Sequence, residues 1–300
     1  MEDLDNFQAQ LTAAIAPVLT DSGKAWFDKT LEKLTASDQP LDDLGLYSAM
    51  AKRKLGNRRL EHAPAIDAVF SPLDIRRWGE ADAARLVLLL SVVKRLPDQN
   101  EELVQTYYRM GDESERIALI RGLILFAPAD YLTTIALDAG RTNSLELLSA
   151  LSLDNPYPAS FYSEQTFNQM VLKCLFLGLA IERVVGLEQR ANPDLTRMCE
   201  NYVVERENAS RTVPVDIWLA IGPHATTEGE QQILAYLNHE ETGHRYYTAL
   251  ALGQRLSENP SLKSHLQDRL KQEDNTLVLD LLQDLLQQQP GKPTNSGSHL

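Results

Sequence analysis

Glu80-Ala81-Asp82-Ala83-Ala84-Arg85-Leu86-Val87-Leu88-Leu89-Leu90-Ser91-Val92-Val93-Lys94-Arg95-Leu96, followed by Pro97, is the stretch that decides the fold class. It is strongly apolar and stops at a proline, which cannot continue a helix. Its longest apolar run, Leu86 to Val93, is broken only by Ser91 and bracketed by Arg85 and Lys94. A bilayer span needs about 20 apolar residues. The run therefore reads as a helix buried in a protein core.

The same punctuation extends in both directions. Helical periodicity recurs with Gly or Pro at the stops. On the N-terminal side it predicts helices over Leu4–Ala16, Ser22–Leu34 (capped by Asp21 or Ser22), Pro40–Leu55 and a short one over Pro64–Phe70. Ser71-Pro72 reads as another N-cap followed by proline. On the C-terminal side it predicts Asn100–Met110, Glu113–Phe126, Ala129–Ala139 and a short helix to Leu153 capped by Asn143 or Ser144. Further on come Glu164–Ile181, Pro193–Asn208, Pro214–Ile221, Glu228–Asn238, Glu241–Leu256, Pro260–Lys271 and Asn275–Gln288. No alternating β-branched run or Asn-Gly hairpin signal competes with this series. The expected fold is all-α. Successive helix pairs of about 30–40 residues point to stacked antiparallel hairpins of the α-solenoid kind, with a compact bundle as the alternative. The expected organisation is one helical domain over 1–289, and a Gly/Ser/Pro-rich disordered tail over 290–300.

Composition narrows the function. The chain has 300 residues, 43% of them hydrophobic, and a net charge of −13. An acidic protein is a poor partner for nucleic acid, because phosphate binding needs a basic surface. The same balance argues against anionic membranes. Lys52-Arg53-Lys54 and Arg58-Arg59 are local basic runs that read as a solvated helix end. The N-terminus, Met1-Glu2-Asp3-Leu4-Asp5, lacks a signal-peptide core, so the expected location is the cytoplasm. The two cysteines, Cys174 and Cys199, read as reduced and buried.

Catalytic and metal signatures do not complete. His239-Glu240-Glu241-Thr242-Gly243-His244 places its second histidine at i+5, not the i+4 of a helical zinc motif. On one helix that spacing leaves the rings about 140° apart, while Asn238–Thr242 also reads as a turn. No metal and no cofactor is expected. Walker, Rossmann and nucleophile-elbow patterns are missing from the sequence.

One polar block stands out from the helices around it: Arg141-Thr142-Asn143-Ser144-Leu145-Glu146, then Asp154-Asn155-Pro156-Tyr157-Pro158, then Phe167-Asn168-Gln169-Met170-Val171-Leu172-Lys173. From Val171 the last helix is apolar nearly all round, yet it carries Asn168, Gln169 and Lys173. Lys173 lies about 40° from Gln169 and about 140° from Asn168 around the axis, and reads as part-buried. Such groups must be hydrogen-bonded or they cost stability. The block is therefore a structural corner or a ligand site. As a site it would comprise Arg141, Asn143, Asp154, Asn155, Tyr157, Asn168, Gln169 and Lys173, without a catalytic assignment. Arg141 would be the anchor for an anionic or carbonyl group, Asn168 and Gln169 would orient the ligand, and Tyr157 would stack on it.

These motifs, with Arg190-Ala191-Asn192-Pro193 and Pro214–Trp218 followed by Ile221-Gly222-Pro223, resemble the EboA-domain family over about residues 141–223. The resemblance implies a protein of a bacterial ebo gene cluster, tied to secondary metabolism. In cyanobacteria that cluster is linked to moving the precursor of the pigment scytonemin out of the cytoplasm. It implies other ebo-cluster proteins or a small-molecule precursor as partners. It supplies no catalytic residues. A non-catalytic scaffold or binding protein is the first expectation. An enzyme or small-molecule receptor built on the Arg141–Lys173 block is the second.

Overall fold

The computed structural model describes residues 2–287. The expected disordered tail, 290–300, lies outside them. Among the described residues there are seventeen α-helices, four short 3-10 turns and no β-strand, so the all-α expectation holds. The helices are α1 (Glu2–Ile15), α2 (Asp21–Ala36), α3 (Pro40–Leu55), α4 (Glu80–Arg95), α5 (Asn100–Met110), α6 (Glu113–Arg121), α7 (Asp130–Gly140), α8 (Leu145–Ser152), α9 (Tyr157–Phe161) and α10 (Glu164–Leu177). They continue as α11 (Leu187–Arg190), α12 (Pro193–Asn208), α13 (Trp218–Ile221), α14 (Thr227–Tyr236), α15 (Thr242–Gln254), α16 (Leu262–Leu270) and α17 (Thr276–Gln287). None of the described helices is long and apolar enough to cross a membrane.

The chain divides into two compact units, residues 1–167 and 168–300, with the boundary inside α10. In the first unit α4 is the centre, with α1, α2, α3 and α6 packed on it. From Ala81 to Val93 every residue except Ser91 is buried, as an all-round apolar helix requires. Its polar exceptions are paired. Asp82 accepts from the Gly79 N–H at the head of the helix and binds Arg85 and Arg121. Arg85 also donates to the Ser48 carbonyl at 3.2 Å. In the second unit α15 is the centre, packed by α13, α14, α16 and α17.

Most boundaries fall where the Gly and Pro stops placed them, and the departures have physical causes. The helix expected over Pro64–Phe70 is absent. Residues 56–79 instead form an irregular excursion closed by the pairings Arg59–Gly79 and Ile66–Leu73. Ile66, Leu73 and Ile75 are all fully buried, so tertiary burial overrides a local proline start. The cap of α2 is Thr20, whose hydroxyl accepts from the Gly23 N–H at 3.1 Å, rather than Asp21 or Ser22. The segment read as Glu113–Phe126 stops as an α-helix at Arg121 and tightens to a 3-10 turn over Leu123–Phe126. Gly122 is the break: a Cβ there would sit 2.4 Å from Leu86 of α4.

Candidate functional site

The first half of the polar block is a corner held by one amide. Ser144 starts α8 by accepting from the Leu147 N–H at 3.1 Å, as an N-cap hydroxyl does. After α8 the backbone of Asp154 enters the left-handed region, φ 54°, which Asp tolerates better than most residues. The Asp154 carboxylate lies 3.6 Å from Arg77. That reversal turns Asn155 inward, where it is 2% exposed. Its Nδ2 donates to the carbonyls of Ile120 and Ala150, both at 2.9 Å, and its Oδ1 accepts from the Tyr157 N–H at 3.0 Å. Tyr157 is buried and stacks on Phe161 at 4.9 Å, and its hydroxyl lies 3.2 Å from that of Thr133. Burial pushes the Tyr157 phenol up, and the Thr133 hydrogen bond only moderates this. Arg141 and Asn143 are exposed.

The second half uses the same device. Asn168 is 2% exposed and pairs with Asn192 through reciprocal amide hydrogen bonds of 3.0 and 2.9 Å. Asn192 also caps α12, accepting from the Leu195 N–H, and donates to the Arg190 carbonyl, both at 2.9 Å. One residue on, Gln169 is exposed, and Lys173 is half-buried. The part-buried state read from the sequence for Lys173 matches its position. Asn168 faces the interior, Gln169 faces solvent and Lys173 lies between.

A third cluster, in the second unit, was seen only in part from the sequence. Trp218 is fully buried and its indole N–H donates to Nδ1 of His244 at 2.9 Å. The His239 ring stacks on Tyr236 at 5.1 Å and meets His244 edge-on at 4.5 Å. The two histidines would stand about 140° apart only on one continuous helix. The chain leaves α14 at Tyr236 and re-enters helix at Thr242, so the intervening turn folds His239 back onto His244. The side-chain donor atoms of His239, Glu241 and His244 lie within 4.8 Å of one another.

That geometry invites a metal, but each ring already accepts an N–H at its Nδ1. His244 Nδ1 accepts from Trp218, so its proton sits on Nε2. His239 Nδ1 accepts from the Glu241 N–H at 3.1 Å. A metal-binding imidazole does the reverse, giving a lone pair to the metal and donating from its other nitrogen. The cluster therefore reads as aromatic packing around a neutral histidine.

Its signature is pH dependence. Burial first, then the neighbouring His239, hold His244 down at about 4 against the Val213 carbonyl, which raises it. The unfolded chain takes up that proton near the ordinary value of 6.5 while the folded one does not. Stability from this residue is thus complete above 6.5 and falls as pH drops toward 4, by at most about 1.4 kcal/mol per unit. His244→Asn keeps an acceptor for Trp218 and removes the titration. Its melting temperature should be lower than wild type at neutral pH and flatter between neutral pH and 4.5. Parallel pH profiles for the two proteins would refute the assignment.

The family profile described as metabolite traffic protein EboA matches residues 7–222. The chain belongs to the EboA family. That membership gives it a role in metabolite handling. No curated protein and no solved structure matches it. The EboA match contains the corner at Asn155, the Asn168–Asn192 pair and Trp218, but ends before Tyr236, His239 and His244. A shallow cleft of about 180 Å³ opens in the first unit between Phe7, Val69, Asn100, Ile124 and Phe126. None of the eight residues singled out in the polar block lines it. It is smaller than typical metabolite pockets, which run to several hundred Å³.

Proposed function

We propose that this EboA-family chain is a non-catalytic helical binding protein of the cytoplasm. It holds a secondary-metabolite precursor, of the kind represented by a scytonemin-like pigment precursor, during processing or export alongside other ebo-type proteins. The observation that supports this is how the polar block spends its atoms. Asn155, Asn168 and Asn192 satisfy backbone groups and each other, so they fix shape and do not face a reacting atom.

A second reading, a specific receptor or enzyme, is favoured by Arg141 alone. Its planar fork suits an anionic or carbonyl group, and it is exposed, so its removal leaves no buried charge behind. Arg141→Ala and Lys173→Met separate the readings. Arg141→Ala should melt within about 0.5 kcal/mol of wild type, as surface changes usually do. If pathway output persists in both variants, the scaffold reading stands. Output lost at normal melting temperature would instead assign the block to ligand recognition.

A further inference from the structure

We propose that the last turn of α3 and the loop behind it, residues 52–59, dock this protein onto an anionic lipid bilayer. Five of those eight residues are cationic: Lys52, Arg53, Lys54, Arg58 and Arg59, all exposed. One is neutralised. The Arg58 guanidinium lies against Glu80, 3.2 Å from Oε2, and the Glu80 side chain is fully buried. Lys52, Arg53, Lys54 and Arg59 enter none of the ion pairs among the described residues.

The patch is held rigidly. Leu55 within it and Leu60 just past it are buried, and the Leu60 N–H donates to the Trp78 carbonyl at 3.0 Å. Between them Gly56 has φ 105°, and a Cβ there would meet Glu80 Oε1 at 2.5 Å. Cations in a last helical turn complement the helix dipole. That account covers Lys52 to Lys54, but Arg59 lies past the helix end. The same helix also exposes apolar surface: Leu46 is 56% exposed and Met50 half-exposed. Leu46, Met50 and Arg53 fall within about 60° of one another around the axis. An exposed apolar pair followed by a cation on one helix face suits a lipid interface, and Leu46 would have no role against nucleic acid phosphates. The net charge of −13 does not oppose this locally, because charges beyond about 8 Å are screened at physiological salt.

The test is co-sedimentation of the full chain with vesicles of phosphatidylcholine alone or mixed with phosphatidylserine. Binding is expected to the mixed vesicles only, weakening as salt rises. Each surface cation contributes about fivefold in partition. The combined variant Lys52→Gln, Arg53→Gln, Lys54→Gln, Arg59→Gln should therefore lose binding more than a hundredfold at unchanged melting temperature. Leu46→Ser should weaken it further. Three results would each overturn the proposal: no binding to mixed vesicles at low salt, equal binding to phosphatidylcholine alone, or undiminished binding by the combined variant. Capture of the wild type by soluble polyglutamate as tightly as by vesicles, with Leu46→Ser silent, would give the patch to an acidic protein and overturn it as well.

Discussion

Arg245→Ala is expected to destabilise the protein by about 3–5 kcal/mol, the cost of stripping one partner from a buried ion pair. Arg245 grips Glu273 in a two-pronged contact, Nε to Oε2 and Nη2 to Oε1, both at 2.8 Å. Its Nη1 donates to the carbonyls of His239 and Glu240 at 3.0 and 2.8 Å. One side chain thus ties the turn before α15 to the loop before α17. The Glu273 side chain is fully buried, and without Arg245 it keeps only Arg269, at 3.2 Å, and loop N–H groups. Burial alone would raise the Glu273 carboxyl. The Arg245 hydrogen bonds and the Asn275 N–H outweigh burial and hold it at about 2, below its ordinary 4.5. Stability from this group is therefore fully present above 4.5 and drains as pH falls toward 2. Denaturant unfolding at neutral pH measures the main effect. Arg245→Lys keeps the charge but loses the fork and should fall between wild type and alanine. A loss below 1 kcal/mol for Arg245→Ala would show that the pair carries little.

Asn155 is the second position with a large expected effect. Asn155→Leu preserves most of the volume but leaves the Ile120 and Ala150 carbonyls and the Tyr157 N–H without their buried partner. At roughly 1–3 kcal/mol for each orphaned group, partly relieved by relaxation, the expected loss is about 2–4 kcal/mol. Asn155→Asp is the sharper experiment. Its carboxylate would face two carbonyl oxygens where two N–H donors now stand at 2.9 Å. At neutral pH it should be less stable than Asn155→Leu. Because that carboxyl is disfavoured in its charged form, the deficit should narrow as pH falls and the group takes a proton. An aspartate variant no worse than leucine, with no acid recovery, would mean that the corner opens to water.

The helices were legible because apolar period and Gly/Pro stops are local. Pro40–Leu55, Asn100–Met110 and Pro193–Asn208 fall where the sequence puts them. The excursion over 56–79 was not, because its shape depends on where Ile66, Leu73 and Ile75 find cover, and no window of sequence contains that. The same division runs through the polar block. The part-buried Lys173 was legible from its place on an apolar helix, while the angle of about 100° between Asn168 and Gln169 leaves open which one turns inward, and it is Asn168. Asn192, its hydrogen-bond partner, could be marked only as a turn residue, since pairing across 24 positions has no local signal. The approach of His239 to His244 was hidden for the opposite reason: the spacing rule was applied across a helix break. The turn residues Asn238–Thr242 were the clue that the rule did not hold there.

The family match stops at Gly222, yet Gly222 is a contact point and not an end. Its missing side chain leaves room for Ala251 of α15, which would stand 2.8 Å from a Cβ. Trp218 reaches forward to His244, and Thr196 reaches from α12 to the Ala220 carbonyl at 3.1 Å. The end of the family match therefore falls inside the packed interior of the second unit. A fragment trimmed to the recognisable homology would keep α12 against α13 but strip the cover that α15 gives Trp218 and Ile221. For this chain, the stretch that the family profile recognises and the stretch that packs as the second unit are different lengths of polypeptide.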